Sequence, residues 1–427
     1  MKESMFTGRT VPNNAPFLKA PLLKSSEIEE KYDKKLSFAV CFQVSVIGIK
    51  NALVQGIPLL YQYNSFLNYL LLAIVAIIYI VVFCESWDRI VQVNQSVLLM
   101  AVFILSSFLV TWILCPVNRT AIRNMLPRVI PYYFLTAYMI TKIRSTKWIE
   151  YYMVRFSYLG IIACVITSLF IYIIGHVTTS QWLSYSMPMS YTGMLATIWV
   201  LHSFYQNKKF YKLLFVIAGI GTIILYGSRN PLIGIAVYIA VIQIRNTFRK
   251  DASIYKKAFL ILFMLVGMLL LLYYKEILTV LDEILKSAGI ESRTLKLLLQ
   301  NEIDMTGRTE IHGIILQLLS RHPLYGLGIG GDIAWTSFAS HSLYLSILSI
   351  YGLIFGAILN AVLIYCCFSS YRNAGIKERG ILLIYFCLTL PRGFSGGDVL
   401  SSDVFWWMIG ICAVANRKLP FVARERG

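Results

Sequence analysis

Residues 66–84, FLNYLLLAIVAIIYIVVFC, run for nineteen positions without a charge. As a helix such a run is about 28 Å long, close to the ~30 Å hydrocarbon core of a bilayer. Backbone polar groups in lipid are satisfied only in helices and closed barrels. The run lacks the apolar/polar alternation of a barrel strand, so helix is the reading. Comparable runs recur on both sides, and spans are expected at 36–57, 66–84, 96–115, 125–141, 154–175, 185–205, 211–227, 231–247, 257–274, 341–367, 379–395 and 401–416. The fourth is the weakest, because Pro127, Arg128 and Pro131 crowd its start. The expected fold is an all-α polytopic membrane protein with about 12 transmembrane helices. Composition agrees, with 57% hydrophobic and 14% charged residues among 427.

A net charge of +18 raises nucleic acid as a partner. The positive-inside rule explains the excess more simply, because most Lys and Arg fall on alternate loops, the cytoplasmic set. Deleting the fourth span would move the clusters at Lys208-Lys209, Arg245–Lys257, Arg372–Arg379 and Arg417–Arg426 outside, so it is kept. A lipid bilayer, and no nucleic acid, is the expected environment. Residues 1–35 read as a cytoplasmic tail rather than a signal peptide, since they are polar throughout. Residues 36–274 carry nine spans, 275–340 form one long extracytoplasmic loop, 341–416 carry three spans, and 417–427 return to the cytoplasm. The eight cysteines lie in or beside apolar runs without metal-ligand spacing, so no metal and no cofactor is expected.

The long loop is unusual enough to need a purpose. Ile277, Val280, Leu281, Ile284 and Leu285 mark one amphipathic helix within it. Ile311, Ile314, Ile315, Leu318 and Leu319 mark a second, with Arg308 and His312 one turn apart on its other side. Thr306 would cap that helix and Pro323 would end it. From Gly307 to Gly352 the chain gathers Arg308, His312, Arg321, His322, Asp332 and His341 around a Gly-rich turn. That stretch holds three of the five histidines.

Arginine also recurs in the short loops on the same side, as Arg119, Arg123, Arg128, Arg229 and Arg392. An Arg at a helix centre costs roughly 2.5–3.5 kcal/mol by insertion scales, and less near the interface. A charge-assisted contact to phosphate returns about 1.5–3 kcal/mol. A phosphate-bearing ligand explains the set. Snorkelling, or pairing with Glu302, Asp304 or Glu310, explains any single member. Arg229 sits in the tight turn Gly227-Ser228-Arg229-Asn230-Pro231, where a helix N-terminus favours an anion. His341 opens the tenth span, where burial would keep its imidazole neutral and able to accept a proton. A lone histidine there serves equally as a cap. Gly326-Leu327-Gly328-Ile329-Gly330-Gly331 matches G-x-G-x-x-G but follows no strand, which removes the dinucleotide reading. A turn for re-entering the membrane is preferred over a phosphate nest.

Three groups of residues together resemble the O-antigen polymerase and O-antigen ligase family. They are Ser228-Arg229, Gly307-Arg308 followed by Pro323-Leu324-Tyr325-Gly326-Leu327-Gly328, and His341 leading into Tyr344-Leu345 and Gly352. Ser342 departs from that family, which often has Asn after the His. The resemblance implies a GT-C-like, metal-independent glycosyltransferase of the bacterial cytoplasmic membrane, working at its outer face on undecaprenyl-pyrophosphate-linked oligosaccharide. It implies Arg229 and Arg308 on the pyrophosphate and His341 as base. Arg119, Arg123, Arg128, Arg321, Arg392, Asp332 and Tyr344 would contribute to substrate binding. The expected activity is polymerisation of O-antigen, capsule or exopolysaccharide repeats, with a chain-length regulator and a flippase as partners. Ligation to another acceptor is the alternative. A flippase or transporter would want midplane charge and inverted repeats, and this chain shows neither clearly.

Overall fold

The computed structural model describes residues 19–92, 95–177, 187–226, 228–248, 258, 262, 265, 268–269, 272–290, 292–299 and 308–416. Among them every regular element is helical. In chain order the main ones are α1 (Lys19–Gly56), α2 (Asn64–Glu85), α3 (Gln95–Leu114), α4 (Arg119–Arg128), a π-helical segment (Val129–Phe134) and α5 (Leu135–Ile140). There follow α6 (Lys147–Val177), α7 (Met187–Asn207), α8 (Phe210–Tyr226), α9 (Arg229–Thr247), α10 (Tyr274–Ser287), α11 (Arg293–Leu299), α12 (Arg308–Arg321) and α13 (Gly331–Thr336). The last four are α14 (Leu343–Tyr351), α15 (Leu353–Asn373), α16 (Ile376–Ser395) and α17 (Asp403–Ala415). Five stretches are long and apolar enough to cross a membrane: Glu27–Val54, Asn64–Glu85, Val97–Leu114, Lys147–Ile173 and Leu353–Asn373. Phe210–Leu225 and Asp403–Ala415 are shorter apolar helices.

The core lies where α1, α6, α7 and α8 meet α9, α16 and α17. Trp199, Tyr238, Tyr385 and Trp407 are its largest fully buried side chains. Tyr385 stacks on Trp407 at 5.2 Å and meets Trp199 edge-on at 6.3 Å. By contrast, one face of α2, α3 and α15 leaves large aliphatic and aromatic side chains exposed, among them Leu99, Leu114, Phe355 and Tyr365. Lipid is the solvent such faces fit.

Three expectations need correction. The tail assigned to 1–35 is helical from Lys19, because its acidic residues have buried partners. Asp33 accepts the backbone N–H groups of Arg144 (2.9 Å) and Ser145 (2.7 Å) and pairs with Arg89 at 2.8 Å. Glu29 bridges Arg89 (3.3 Å) and Arg144 (2.9 Å). Next, the crowded fourth span is one helical path from Arg119 to Ile140, relaxed to π geometry around Pro131. Proline lacks the N–H that an α-turn would use.

The tenth span, expected to run unbroken over 341–367, is the largest difference. It is a helical hairpin. The chain turns at Gly352 (φ +86°, ψ 170°), and Asn360 of α15 donates its side-chain N–H to the Tyr344 carbonyl of α14 at 3.2 Å. Helix α14 covers about 13 Å, too little to cross a bilayer. The ninth expected span (257–274) falls largely outside the described residues, as do Thr306, Glu302 and Asp304.

Candidate functional site

Loop 323–331 braces the hairpin tip. Leu327 and Gly328 donate their backbone N–H groups to the carbonyls of Ser349 (2.7 Å) and Ile350 (3.2 Å), and Ile354 donates to Pro323 (3.2 Å). These carbonyls end α14 and would otherwise lack intrahelical donors. Gly326 packs on Gly352 so closely that a Cβ would lie 2.4 Å from the Gly352 nitrogen. The Gly-rich run therefore serves the turn; the N–H groups of Leu327 and Gly328 are committed to protein carbonyls. Ile315 and Leu319 of α12 bury against Leu327 and Leu345, which fixes the second amphipathic helix over the hairpin.

This arrangement lowers the first turn of α12 onto the segment that leads into α14. Asp332 is buried and accepts the N–H groups of Ile333 (2.9 Å) and Ser340 (2.8 Å). His312 Nε2 donates to the Ser340 carbonyl at 2.8 Å. Both ends of Ser340 are thus held, and the next residue, His341, takes a left-handed φ of +51°. Histidine is one of the non-glycine residues found more often in that region, and here the fixed groups on either side hold it there. Ser342 then caps α14, accepting the Leu345 N–H at 3.2 Å and donating to the Gly393 carbonyl at 2.6 Å. Asparagine in that place could also cap a helix, so the departure from the family's usual residue leaves the local structure intact.

The electrostatics follow. Burial, then the charges of Arg308 and His312, push the His341 imidazole below its ordinary value, with Asp332 opposing. Burial raises the Asp332 carboxyl against the hydrogen bonds from Ser340 and Ile333. Arg308, His312, Asp332 and His341 therefore form one interacting group. A second group adjoins it. Burial raises Asp398, helped by the charge of Asp332, while the Ser346 hydroxyl 2.6 Å away lowers it. The Tyr133 phenol lies within electrostatic reach of Asp403, Arg392, Arg128 and Asp398. Arg392 pairs with Asp403 at 2.9 Å and lies over the Tyr191 ring at 4.6 Å. It also lines a cavity of about 370 Å³.

Not every expected ligand residue joins. Arg119 and Arg123 lie over the Trp112 ring at 5.6 and 5.5 Å as cation–π contacts. Arg321 is exposed at the far end of α12, about 20 Å along the axis from Arg308. Tyr344 packs its ring on Gly393 and on Phe394, 5.6 Å away, beside the group rather than within it. Arg229 is the first residue of α9, whose start is anchored by the Ser228 N–H on the Ser190 hydroxyl at 2.7 Å; its side chain lies outside the described set. Asp398 and Asp403 were missed by sequence reasoning. The only signal for them was acidic residues shortly after Arg392 in a Gly- and Ser-rich turn. Among the described residues no three His, Cys, Asp or Glu converge as a metal-holding group.

The fold is that of an all-helical polytopic membrane protein, with a titratable cluster where a helical hairpin meets an amphipathic roof. Residues 213–360 match the family model described as O-Antigen ligase (Wzy_C), a stretch that takes in Ser228-Arg229, Arg308, the Gly-rich loop and His341. The match agrees with the resemblance read from those residues, and the family covers O-antigen ligases and polymerases. No curated protein and no solved structure matched the chain.

Proposed function

We propose that the chain is a glycosyltransferase that extends a bacterial surface polysaccharide, moving a glycan from undecaprenyl pyrophosphate to an incoming lipid-linked repeat. The observation that carries this reading is the grouping of His312 and Asp332 on the Ser340 peptide beside His341, with Arg308 near enough to act on its imidazole. In the reaction the acceptor hydroxyl attacks the anomeric carbon, and the bond from that carbon to the pyrophosphate oxygen breaks. The lipid pyrophosphate departs with the electron pair, and the hydroxyl proton passes to His341. A neutral imidazole suits that role, and general-base contributions are typically about 10²–10⁴-fold. Arg308 would stabilise charge growing on the leaving group, and removing one such donor typically costs about 10²–10³ in kcat. Arg229, at the start of α9, would add a second guanidinium. Twelve crossings with both termini cytoplasmic would set this site at the outer face, where lipid-linked repeats are used.

Arg308→Ala and Arg229→Ala should remain in the membrane yet stop chain growth. A normal long-chain ladder from either would count against these roles. Ligation to a different acceptor would use the same donor chemistry. Lipid analysis of a deletion strain separates the two: single lipid-linked repeats accumulate without a polymerase, long lipid-linked polymer without a ligase.

A further inference from the structure

A groove of about 540 Å³ opens where α3 passes the hairpin tip, within the ~300–1,000 Å³ range of small-ligand sites. One face of α3 (residues 106–115) forms one wall, and Tyr325, Gly326, Gly328 and the end of α14 form the other. Val110 and Leu114 on the first wall and Tyr325 on the second are exposed, so the groove opens outward among side chains that face lipid.

Hydroxyl groups stand along these walls, yet their protons are spent inside the protein. Ser106 and Ser107 both donate to the Phe103 carbonyl, at 2.9 and 2.7 Å. Thr111 donates to the Ser107 carbonyl at 2.8 Å, and Tyr351 to the Ser107 hydroxyl at 3.2 Å. What α3 presents to the groove is therefore carbon surface. A sugar would find no free hydroxyl donor there, whereas a hydrocarbon chain needs none. Residues 106–115 rise about 14 Å, close to half of the ~30 Å hydrocarbon core. That is the depth of one leaflet and suits one phospholipid acyl chain. The longer undecaprenyl chain would overrun it.

The mouth supplies charge. Tyr325, which lines the groove, is hydrogen-bonded to His322 at 2.9 Å. Arg321 precedes them at the exposed end of α12. Among the described residues no carboxylate pairs with Arg321. A guanidinium beside a phenol at a membrane interface fits a lipid phosphate.

We infer that this groove holds one anionic phospholipid of the surrounding leaflet, with its phosphate on Arg321 and Tyr325 and one acyl chain between α3 and the hairpin tip. The inference is independent of the glycosyl-transfer reading. It gives Arg321, too far along α12 to join the His341 group, a ligand of its own. The bound chain would pack against Gly326 and Gly328, the residues that brace the turn at Gly352.

The test uses full-length protein purified in detergent and freed of lipid. It is titrated with phosphatidylglycerol or phosphatidylcholine, and retained lipid is counted by native mass spectrometry. Wild type should retain one phosphatidylglycerol and bind phosphatidylcholine roughly tenfold less tightly, the worth of one charge-assisted contact. Arg321→Gln should lose that preference while still binding lipid. Val110→Trp fills the groove and should lose the retained lipid. Ile113→Trp, on the same helix but outside the groove, should behave as wild type. Both tryptophan positions are already exposed, so neither substitution disturbs the core. Retention by Val110→Trp equal to wild type, or equal loss in Ile113→Trp, overturns the inference. Equal affinity of wild type for the two lipids overturns it too, because the charge at the mouth is then not read. Displacement of the lipid by glycerol 3-phosphate would mean an anion site without the groove, and displacement by equimolar undecaprenyl phosphate would give the groove to the carrier; either result defeats it.

Discussion

His341 owes its backbone geometry to its neighbours on either side. Asp332 and His312 hold the Ser340 peptide, and Ser342 is tied to Gly393. His341→Asn should keep the fold, because Asn tolerates a left-handed φ, while transfer falls by about 10²–10⁴-fold. A product assay beside a thermal melt checks both halves. The pKa direction adds a second prediction. Burial, with Arg308 and His312 nearby, depresses His341, so the acid limb of kcat/KM should lie below the ordinary histidine value. Arg308→Gln removes a cation, and the limb of its residual activity should move to higher pH; Asp332→Asn removes the opposing charge and should move it lower. Stability follows the same sign. The folded pKa lies below the unfolded one, so acid favours proton uptake by the unfolded chain. This contribution is present above the ordinary value and is lost as pH falls from there through the depressed folded value.

Helix α14 exists as a separate element because of one residue. Gly352 has a φ/ψ combination open essentially to glycine alone, and a Cβ there would lie 2.7 Å from the backbone of Leu324 and Pro323. Gly352→Ala should cost about 3 kcal/mol or more through strain and collision, seen as a lower melting temperature in detergent and reduced membrane level. At the opposite end of the bundle the Asp33–Arg89 pair locks α1 to the short helix after α2, with both side chains under a tenth exposed. Asp33→Ala breaks the buried pair, leaves Arg89 only the partly exposed Glu29, orphans the Arg144 and Ser145 N–H groups, and should destabilise the protein by roughly 3–5 kcal/mol. A melt of wild type little different from this variant would show that water reaches the pair.

Across the whole molecule the titratable cluster and the cavity lie toward one end of the bundle, and the Asp33 network lies at the other. The positive-inside rule predicts that the second end faces the cytoplasm. Cysteine labelling checks this once the exposed Cys84 and Cys366 are replaced by serine. A membrane-impermeant maleimide should reach Ser320→Cys on α12 in intact cells, and Lys377→Cys at the start of α16 only after permeabilisation. The reverse pattern would place the site on the wrong side for lipid-linked repeats.

Most helix positions could be read from the chain, since uncharged runs such as 66–84 allow only one state of the backbone in lipid. The motifs at Arg308 and His341 were legible too, because a charged side chain at a membrane face is costly and stands out. Tertiary structure decided the rest. A hydropathy run does not register a φ angle, so the fold-back at Gly352 was read as one long span. Spacing along the chain says nothing of which arginines meet, so Arg392 looked no different from Arg119 and Arg123. The packing of α12 on the hairpin brings Arg308 toward His341, Arg392 of α16 pairs with Asp403, and Arg119 and Arg123 lie over the Trp112 ring. Apolar composition acts locally and could be read residue by residue; convergence depends on contacts between elements far apart in sequence, and only folding creates those.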